Sequence, residues 1–296
     1  MNIFFALKIP LSHIYLESAI IENMLTASIV LYHTRPELFD AVLKSVLDSK
    51  CVDKLFVIDN APEDKNREIE KRSDIIEYIP HDNTGYGDSH NIALRKSAEL
   101  KADYHIVLNP DIRFDKDVLK TLVNYMDQNK DAVYILPKVI YPDGELQYLC
   151  KLLPSPSDLF LRRFLPKATM SKKKNDRYVL KHSGYDKIMN PPCLSGCFMF
   201  LRVSALVEND IFFDDRFFMY FEDFDLIRRL HRIGRTVFFP EVSIIHDHAR
   251  ESYKNKKMLK IHLKSAVKYF NKYGWLFDRE RNLMNKKILK EIEELK

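Results

Sequence analysis

The chain has 296 residues and a mass of 35.0 kDa, with 46% hydrophobic residues, 30% charged residues and only 7 glycines. This composition excludes a disordered or collagen-like chain, and the length allows a globular protein with a large core. The 4 cysteines form no CxxC pair, which excludes a disulfide scaffold and a zinc knuckle. No apolar run reaches the roughly 18 residues of a membrane-spanning helix, and the first residues lack a signal-peptide pattern. We therefore expect a cytoplasmic protein.

The net charge of +5 is unevenly distributed along the chain. Residues 162–181 and residues 251–296 each carry a net charge of +7, so the rest of the chain is acidic. Such segments suit an anionic partner, such as phospholipid head groups, a lipid diphosphate or nucleic acid, and a solvated surface gives the same pattern. Between Lys260 and Phe277, apolar residues at helical spacing alternate with lysines. That pattern is typical of an interfacial helix at a membrane and equally of a basic helix docked on its own domain.

From Thr26 onward, short apolar runs alternate with longer amphipathic ones, which predicts βαβ units and a mostly parallel sheet. The predicted strands are Ala27 to Tyr32, Leu55 to Ile58, Ile75 to Ile79, Tyr104 to Leu108 and Ala132 to Leu136. The predicted helices are Pro36 to Leu47, Glu63 to Arg72, Gly87 to Leu100 and Lys116 to Asn129. Open parallel sheets bind ligands beyond the carboxyl ends of their strands, so the polar residues at those ends are candidates for a binding site.

The pattern changes after Tyr141. A basic, proline-containing segment from about 151 to 190 lacks clear periodicity and is predicted to be an insert or a mobile loop. A buried strand is predicted from Cys193, a short helix from Glu222 to Ile233, and two further strands over Thr236 to Phe239 and Val242 to Ile245. We therefore divide the chain into an N-terminal extension (1–25), one domain that contains the insert (26–250) and a basic amphipathic helical tail (251–296).

Glycines and acids follow the third and fourth predicted strands. The segment Asn83 to Asn91 places two glycines where a strand passes to a helix, and glycine there lets the backbone approach a phosphate or a sugar. A plain tight turn would need the same residues. Asp111 follows the next strand, where a carboxylate can hold a divalent cation that bridges a diphosphate, although an Asx-Pro turn is the simpler interpretation. His246 follows a later strand and could complete the coordination of such a cation.

Three acids, Glu222, Asp223 and Asp225, stand in the first turn of the short predicted helix. The helix dipole favours negative charge there, so these carboxylates are expected to stay ionised near neutral pH, as a general base must. One acid suffices to cap a helix. Asp225 can pair with Arg228 or Arg229, three or four residues on, which leaves Asp223 as the better functional candidate.

In their order along the chain, these segments resemble the family 2 inverting glycosyltransferases of the GT-A fold, in particular the bacterial rhamnosyltransferase-like branch. The resemblance covers about Thr26 to Ser252. It rests on Ser28 to Tyr32, Val57 to Asn60, Asn83 to Asn91, Leu108 to Asp111, Ser195 to Gly196, Phe218 to Leu226 and Pro240 to His246. It implies an α/β fold with a mostly parallel nucleotide-binding sheet, helices on both faces and a C-terminal helical extension.

The resemblance also implies roles for single residues. Asp223 matches the catalytic base of the family. Asp111 matches the principal ligand of Mg²⁺ or Mn²⁺, His246 is similar to a histidine that joins it, and Asn109 replaces the first acid of the metal-binding DxD motif. The implied donor and nucleotide site comprises Tyr32, Asp59, Asn60, Asn83, Gly85, Gly87, Asn91, Asn109 and Arg250. The implied acceptor side comprises Ser195, Gly196 and Glu222.

Sugar transfer with inversion needs one base on the acceptor hydroxyl and a group that neutralises the departing diphosphate, which a cation or Arg250 can do. A glycosidase would instead need two carboxylates that flank the bond. The resemblance thus implies a metal-dependent transfer of L-rhamnose from dTDP-rhamnose to a lipid-linked or growing surface polysaccharide, such as O-antigen or capsule, at the inner face of the membrane. The basic segments would contact the membrane peripherally.

Two alternatives stay open at this point. The first is transfer from UDP-galactofuranose or another UDP-sugar. The second is not an enzyme at all but a module that binds an anionic surface or nucleic acid. The sequence contains no recognised nucleic-acid-binding motif, so we expect no nucleic-acid partner.

Overall fold

A computed structural model describes residues 23–61, 64–159, 172–247 and 256–295. The described residues form eight strands: β1 (Leu25–Leu31), β2 (Lys54–Asp59), β3 (Ile76–Pro80), β4 (Tyr104–Leu108), β5 (Ile112–Phe114), β6 (Ala132–Ile140), β7 (Phe198–Arg202) and β8 (Arg235–His246). All eight belong to one mixed sheet with the order β3-β2-β1-β4-β7-β6-β8-β5. The predicted parallel arrangement holds for β3, β2, β1 and β4 and again for β6 and β8.

The described helices are α1 (Pro36–Ser49), α2 (Tyr86–Glu99), α3 (Val118–Gln128), α4 (Lys172–Tyr178), α5 (Val203–Glu208), α6 (Glu222–Ile233), α7 (Lys256–Tyr273) and α8 (Arg279–Glu294). A 3-10 helix spans Asp64–Arg72, where the sequence predicts an α-helix. The beginnings of α1 and α6 agree with the prediction, because Pro at a first helical position and acids in a first turn are local signals. No helix in these described segments is both long and apolar enough to cross a bilayer.

Strand β1 shows why helices cover both faces of the sheet. Its seven residues are all buried, so neither face is open to water. Val30 packs in one cluster with Ala93 of α2, whereas Ile29 belongs to the larger cluster that contains Val42 of α1. Successive side chains of a strand point to opposite faces, so α1 and α2 lie on opposite sides of the sheet.

Strand β7 is antiparallel to both of its neighbours and thereby positions the site. It pairs with β4 so that Leu108 lies opposite Phe198. The N-terminal end of β7 therefore lies at the carboxyl end of β4. The sequence predicts a strand from Cys193 onward, but the described strand begins only at Phe198. Residues 193–197 form a loop instead, which passes next to Asn109.

The two predicted strands at 236–239 and 242–245 are one strand, β8. Its pairing with β6 shifts between Phe239 and Ser243, which makes a bulge. Pro240 lies in this bulge, and it has no N–H to donate to a ladder. Strand β8 then continues to His246, which lies opposite Ile112 of β5, a strand that the sequence analysis does not predict.

The segment predicted as an insert or a mobile loop belongs in part to the core. Within its described residues, Leu180 and Tyr185 are buried. The Tyr185 hydroxyl lies 2.7 Å from the carbonyl of Val179 and accepts a hydrogen bond from the backbone N–H of Cys150 at 3.0 Å. Residues 160–171, which include much of the predicted basic segment, lie outside the described residues. So do residues 1–22 of the predicted N-terminal extension, and β1 begins at Leu25, at the end of that predicted extension.

The C-terminal helices pack on the domain, as one of the two interpretations of their pattern predicts. Tyr269 and Phe270 of α7 are buried in a cluster with Phe217 and Phe221. Ile288 of α8 joins the main core. The tail is therefore part of the folded structure, since its side chains complete two hydrophobic clusters.

Candidate active site

The candidate active site lies at the carboxyl end of β4, where three distant parts of the chain meet. The backbone N–H of Asn109 donates to the carbonyl of Cys197 at 2.9 Å. The backbone N–H of Gly196, the residue before Cys197, donates to Oδ2 of Asp223 at 3.2 Å. The loop before β7 therefore connects the end of β4, which carries Asp111, to the first turn of α6, which carries Asp223.

Tyr86, at the start of α2, lies at the centre of this arrangement. Its hydroxyl is 2.9 Å from both Oδ1 of Asn109 and the carbonyl oxygen of Gly196. Burial raises the pKa of Tyr86 well above its ordinary value, and the negative charges of Glu222, Asp223 and Asp111 raise it further. Because Tyr86 contacts both Asn109, two residues before Asp111, and Gly196, whose N–H bonds Asp223, the structure brings Asp111 and Asp223 to the same site.

Asp223 is held by the backbone and retains some exposure to solvent. Its Oδ1 accepts a hydrogen bond from the N–H of Phe224 at 2.8 Å, in addition to the bond from Gly196. Burial raises its pKa, the charge of Lys151 and these backbone bonds lower it, and the net pKa lies above the ordinary value for aspartate. A raised pKa makes this carboxylate a stronger base. A Cβ at Gly196 would lie 3.0 Å from the Cβ of Asp223, so this position favours glycine.

The backbone before Asp223 adopts an uncommon conformation. Tyr220 and Phe221 have φ angles of 67° and 70°, in the left-handed region that residues other than glycine rarely occupy. Phe221 is buried against Tyr269 of α7, with 5.4 Å between their ring centroids. Packing of the C-terminal helix therefore holds the strained segment that directs the acids of α6 into the site.

The three acids of α6 have different environments. Glu222 is buried, and within the described structure its Oε2 has no hydrogen-bond partner. Burial and the nearby charge of Asp223 raise the pKa of Glu222 well above the ordinary value. Asp225 pairs with Arg229 at 2.7 Å, as predicted, and accepts a hydrogen bond from Tyr273 at 2.7 Å. Asp225 is therefore structural.

Asp111 and His246 form a pair at the edge of the site. Nε2 of His246 lies 3.4 Å from Oδ1 of Asp111, and its Nδ1 lies 3.1 Å from Oε1 of Gln147. Burial lowers the pKa of His246, but contacts with Cys197 and Asp111 outweigh it and raise the pKa to about 10. The imidazolium is thus ion-paired with Asp111. A cation that bound both groups would replace this proton.

The pair at Asp111 and His246 fits a cation only in part. Gln147 orients the imidazole so that Nε2 faces the carboxylate, which is how outer-sphere groups orient metal-binding histidines. The described residues contain no group of three or more His, Cys, Asp or Glu side chains arranged for a metal. Mg²⁺ usually takes one or two carboxylates together with substrate phosphates. The two side chains therefore suit a cation whose remaining ligands come from a bound diphosphate.

The predicted nucleotide-binding residues after β2 are occupied by protein contacts. Asp59 accepts hydrogen bonds from Asn66 at 2.7 Å, from Tyr78 at 2.8 Å and from the N–H of Ala61 at 3.0 Å. The amide of Asn60 exchanges hydrogen bonds with the hydroxyl of Ser89 at 2.8 and 3.0 Å. The Asn60 side chain thus anchors the end of β2 to α2.

The segment Asn83 to Asn91 packs against protein more than the sequence analysis expects. A Cβ at Gly85, which has φ +133°, would lie 2.6 Å from the carbonyl oxygen of Phe218, and one at Gly87 would lie 2.8 Å from the Cβ of Phe213. Both glycines are therefore needed for close packing against the loop before α6. The side chain of Asn91 bonds the backbone N–H and C=O of Phe213, both at 2.9 Å. Its amide therefore orients that loop.

The other predicted site residues lie nearby or outside the described residues. Tyr32 and Asn83 are exposed at the ends of β1 and β3, where a ligand could reach them. The carbonyl of Ser195 accepts a hydrogen bond from the Tyr134 hydroxyl at 2.7 Å, which fixes the loop before β7. Arg250 belongs to residues 248–255, which the structure does not describe.

Sequence reasoning assigns no role to three residues that the structure places at the site. Tyr86 lies between the two glycines of the quoted segment, and its hydroxyl could have been noticed there. Lys151, whose Nζ is 5.6 Å from the ring centroid of Phe224, and Gln147 lie in a region without periodicity. No local signal marks either residue, because both reach the site through tertiary packing.

Residues 28–208 match the family model described as glycosyl transferase family 2. Rhamnosyltransferase WbbL of Escherichia coli K12 is 30% identical over 214 residues, which span 69% of this chain and 76% of that protein. The N-acetylglucosaminyl-diphospho-decaprenol L-rhamnosyltransferase of Mycobacterium tuberculosis is 26% identical over 186 residues, which span 57% of this chain and 58% of the mycobacterial protein.

The fold resembles that of TarS from Staphylococcus aureus. A crystal structure of its residues 1–349 with UDP-GlcNAc superposes with a TM-score of 0.57 at 14% identity, covering 90% of this chain and 71% of that one. The sheet, its flanking helices and this likeness define a GT-A type fold, as predicted. The family model covers well over half of the chain, and the chain therefore belongs to glycosyltransferase family 2. The predicted resemblance to its rhamnosyltransferase-like members is confirmed.

Proposed function

We propose that this protein transfers L-rhamnose from dTDP-rhamnose to a lipid-linked or growing polysaccharide acceptor at the cytoplasmic face of the membrane, in the synthesis of a surface polysaccharide. The similarity to two rhamnosyltransferases, one named for a diphospho-decaprenol acceptor, supports the sugar and the acceptor class. The geometry that supports this reaction is the loop before β7, where Gly196 bonds Asp223 and Cys197 bonds Asn109, two residues before Asp111.

In this reaction, Asp223 accepts the proton of the acceptor hydroxyl as that oxygen attacks the anomeric carbon. The bond from the anomeric carbon to the diphosphate breaks on the opposite face, and its electron pair leaves with the nucleoside diphosphate, so the configuration inverts. The arrangement favours Asp223 over Glu222 as the base, because Glu222 is buried whereas Asp223 is partly exposed. Backbone N–H groups hold the Asp223 carboxylate in place, which reduces the cost of orienting it.

We propose that Asp111 and His246 hold Mg²⁺ or Mn²⁺ when the donor is bound. The cation would neutralise charge on the departing diphosphate. Tyr32 and Asn83 are the exposed residues at the same edge that remain available to contact the donor. Asp59, Asn60 and Asn91 shape the surrounding loops through the contacts described above.

The donor is tested by incubating the purified protein with dTDP-rhamnose, UDP-galactofuranose and UDP-GlcNAc, with and without a short N-acetylglucosaminyl-diphospho-polyprenol, whose sugar supplies the acceptor hydroxyl. We expect acceptor-dependent release of dTDP and no release of UDP. A donor present at about a hundred times its Kd should also stabilise the fold by about 2.7 kcal/mol, which a thermal-shift assay detects. We expect this shift only with the donor that the protein binds. Release of UDP alone would show that the donor is a UDP-sugar and that the proposed donor, dTDP-rhamnose, is wrong. Release from no donor, together with salt-sensitive retention of oligonucleotides, would favour the non-enzymatic alternative.

Binding of dTDP measured by calorimetry tests the cation. We expect Mn²⁺ to strengthen binding and a chelator to reverse this effect. Asp111→Asn should weaken binding in the presence of Mn²⁺ by about tenfold, or ~1.4 kcal/mol, while binding without the cation changes little. The exposed Asp115→Asn, four residues along the chain, is the matched control and should behave as wild type. If the chelator leaves wild-type affinity unchanged, the cation proposal is wrong, whatever the donor.

A further inference from the structure

Helix α7 has two faces of different character. Its inner face carries Ser265, Tyr269 and Phe270, all of which are buried. Its outer face is exposed and carries, at helical spacing, Lys256, Lys260, Leu263, Lys264, Val267 and Lys268. The helix contains no Asp or Glu. The outer face is therefore a row of positive charge with two apolar residues among the lysines.

The turn after α7 continues this surface with large apolar side chains. Trp275 is 44% exposed, Leu276 is 78% exposed and Phe277 is 95% exposed. Such consecutive exposure of three large apolar side chains is unusual for a surface turn, since a water-exposed apolar patch usually has a partner. We call Trp275, Leu276 and Phe277 the apolar turn.

The apolar turn is held firmly from both sides. Gly274, with φ +102°, donates its N–H to the carbonyl of Phe270 at 2.8 Å. The indole N–H of Trp275 donates to Asn271 at 2.8 Å. The next residue, Asp278, is buried and ion-paired with Arg228 at 2.7 Å. The exposed side chains therefore project from a fixed backbone. A partner that covered them would lose little binding free energy in ordering this backbone.

We propose that the outer face of α7 and the apolar turn dock on an anionic phospholipid bilayer, with Leu276 and Phe277 inserted at the boundary between head groups and acyl chains. The lysines complement anionic head groups, and tryptophan at an interface places its apolar ring in lipid and its N–H near water. The docking surface itself does not depend on the proposed function. Its purpose rests on that function, because the surface would hold the enzyme at a lipid-linked acceptor.

The charge pattern favours a bilayer over other occupants. A symmetric contact between two copies through this face would oppose lysines with lysines, because α7 has no acid to pair with them. Nucleic acid would neutralise the lysines but would not require the exposed Leu276 and Phe277. Helix α7 also contacts the segment that leads into the candidate active site. His262 of α7 lies 5.3 Å, between ring centroids, from Phe221, which directly precedes the acids of α6.

Flotation of the full chain with vesicles tests the proposal. We expect binding to phosphatidylcholine vesicles that contain about a third phosphatidylglycerol, and little binding to pure phosphatidylcholine. Leu276→Ser with Phe277→Ser should lower the vesicle partition coefficient at least tenfold, and Lys260→Gln with Lys264→Gln should remove most of the dependence on phosphatidylglycerol. Leu100→Ser with Val207→Ser, which changes exposed apolar residues elsewhere, is the matched control and should bind as wild type.

The results separate the proposal from its competitors and from the proposed function. Unchanged binding of the Leu276→Ser, Phe277→Ser variant would overturn the proposal, as would a wild-type dimer in gel filtration that this variant dissociates. Retention of oligonucleotides without binding to vesicles would also overturn it. Circular dichroism and dTDP binding of the variants report folding. Vesicle binding without any sugar transfer would support the proposed docking surface and contradict the proposed function.

Discussion

Asp223→Asn is expected to reduce the rate of sugar transfer by about 10²- to 10⁴-fold, the usual contribution of a positioned general base. The amide is nearly the same size, but it has a single acceptor oxygen and keeps only one of the hydrogen bonds from Gly196 and Phe224, so a native circular dichroism spectrum is the control for folding. The amide cannot take up the proton of the acceptor hydroxyl. Initial rates with saturating donor and acceptor measure the loss, and calorimetry with dTDP should show binding within about twofold of wild type, or ~0.4 kcal/mol.

Two further variants make the assignment of the base specific. Asp215→Asn changes an exposed aspartate that precedes α6 and should transfer at the wild-type rate. Glu222→Gln removes the other candidate acid. If Glu222→Gln abolishes transfer whereas Asp223→Asn keeps at least a tenth of the wild-type rate, Glu222 is the base and the assignment to Asp223 is incorrect.

The pH dependence of transfer should follow the same group. A general base must be unprotonated, so the rate falls as the pH falls through its pKa. Burial raises the pKa of Asp223 above its ordinary value. The fall in rate on the acid side of the pH profile, its acid limb, should therefore lie closer to neutral pH. The Asp223→Asn variant should lose the limb along with most of its activity.

Arg228→Ala is expected to destabilise the folded chain by about 3–5 kcal/mol, because it leaves a buried carboxylate without its partner. The Arg228 side chain is 1% exposed and donates two hydrogen bonds to Asp278, both at 2.7 Å, and one to Glu280 at 2.8 Å. Its guanidinium also lies 4.0 Å from the centre of the Tyr273 ring. Asp278 in turn caps α8 by accepting the N–H of Arg281 at 2.9 Å. Urea unfolding followed by circular dichroism measures the change.

The comparison with an exposed ion pair shows whether burial causes this effect. Lys290 and Glu294 pair at 3.2 Å on the surface of α8, where both side chains are mostly exposed. Lys290→Gln should therefore change the unfolding free energy by less than about 0.5 kcal/mol. A loss below about 1 kcal/mol for Arg228→Ala would contradict the view that this contact locks the C-terminal helices onto α6.

Local patterns in the sequence were enough to predict much of the sheet and one functional helix. Strand β4 spans Tyr104–Leu108 as predicted, because a run of apolar residues is bounded by polar ones at both ends. Helix α6 spans Glu222–Ile233 as predicted, since acids mark its first turn and Gly234 follows its last residue. Both signals are contained in a few neighbouring residues.

The differences arise where distant contacts decide the structure. The apolar run from Cys193 has the composition of a strand, but its first residues form a loop whose backbone bonds Asn109 and Asp223. The side chain of Asn91 bonds Phe213, a residue 122 positions away, a contact that its position in a glycine motif does not predict. Strand β5 has only three residues and too short a pattern to be recognised.

The sequence alone determined the family of this protein, the order of most of its elements and the identity of Asp111 and Asp223 as the acids to examine, because each of these depends on residue types at fixed local spacing. Only the tertiary structure decided that the two acids meet, that Glu222 and Asp223 differ, and that the C-terminal helices complete the core. An amphipathic pattern shows that a helix buries one face but not what covers it. The antiparallel pairing of β7 with β4 and the ion pair of Arg228 with Asp278 join residues far apart in the chain. No local pattern encodes those contacts.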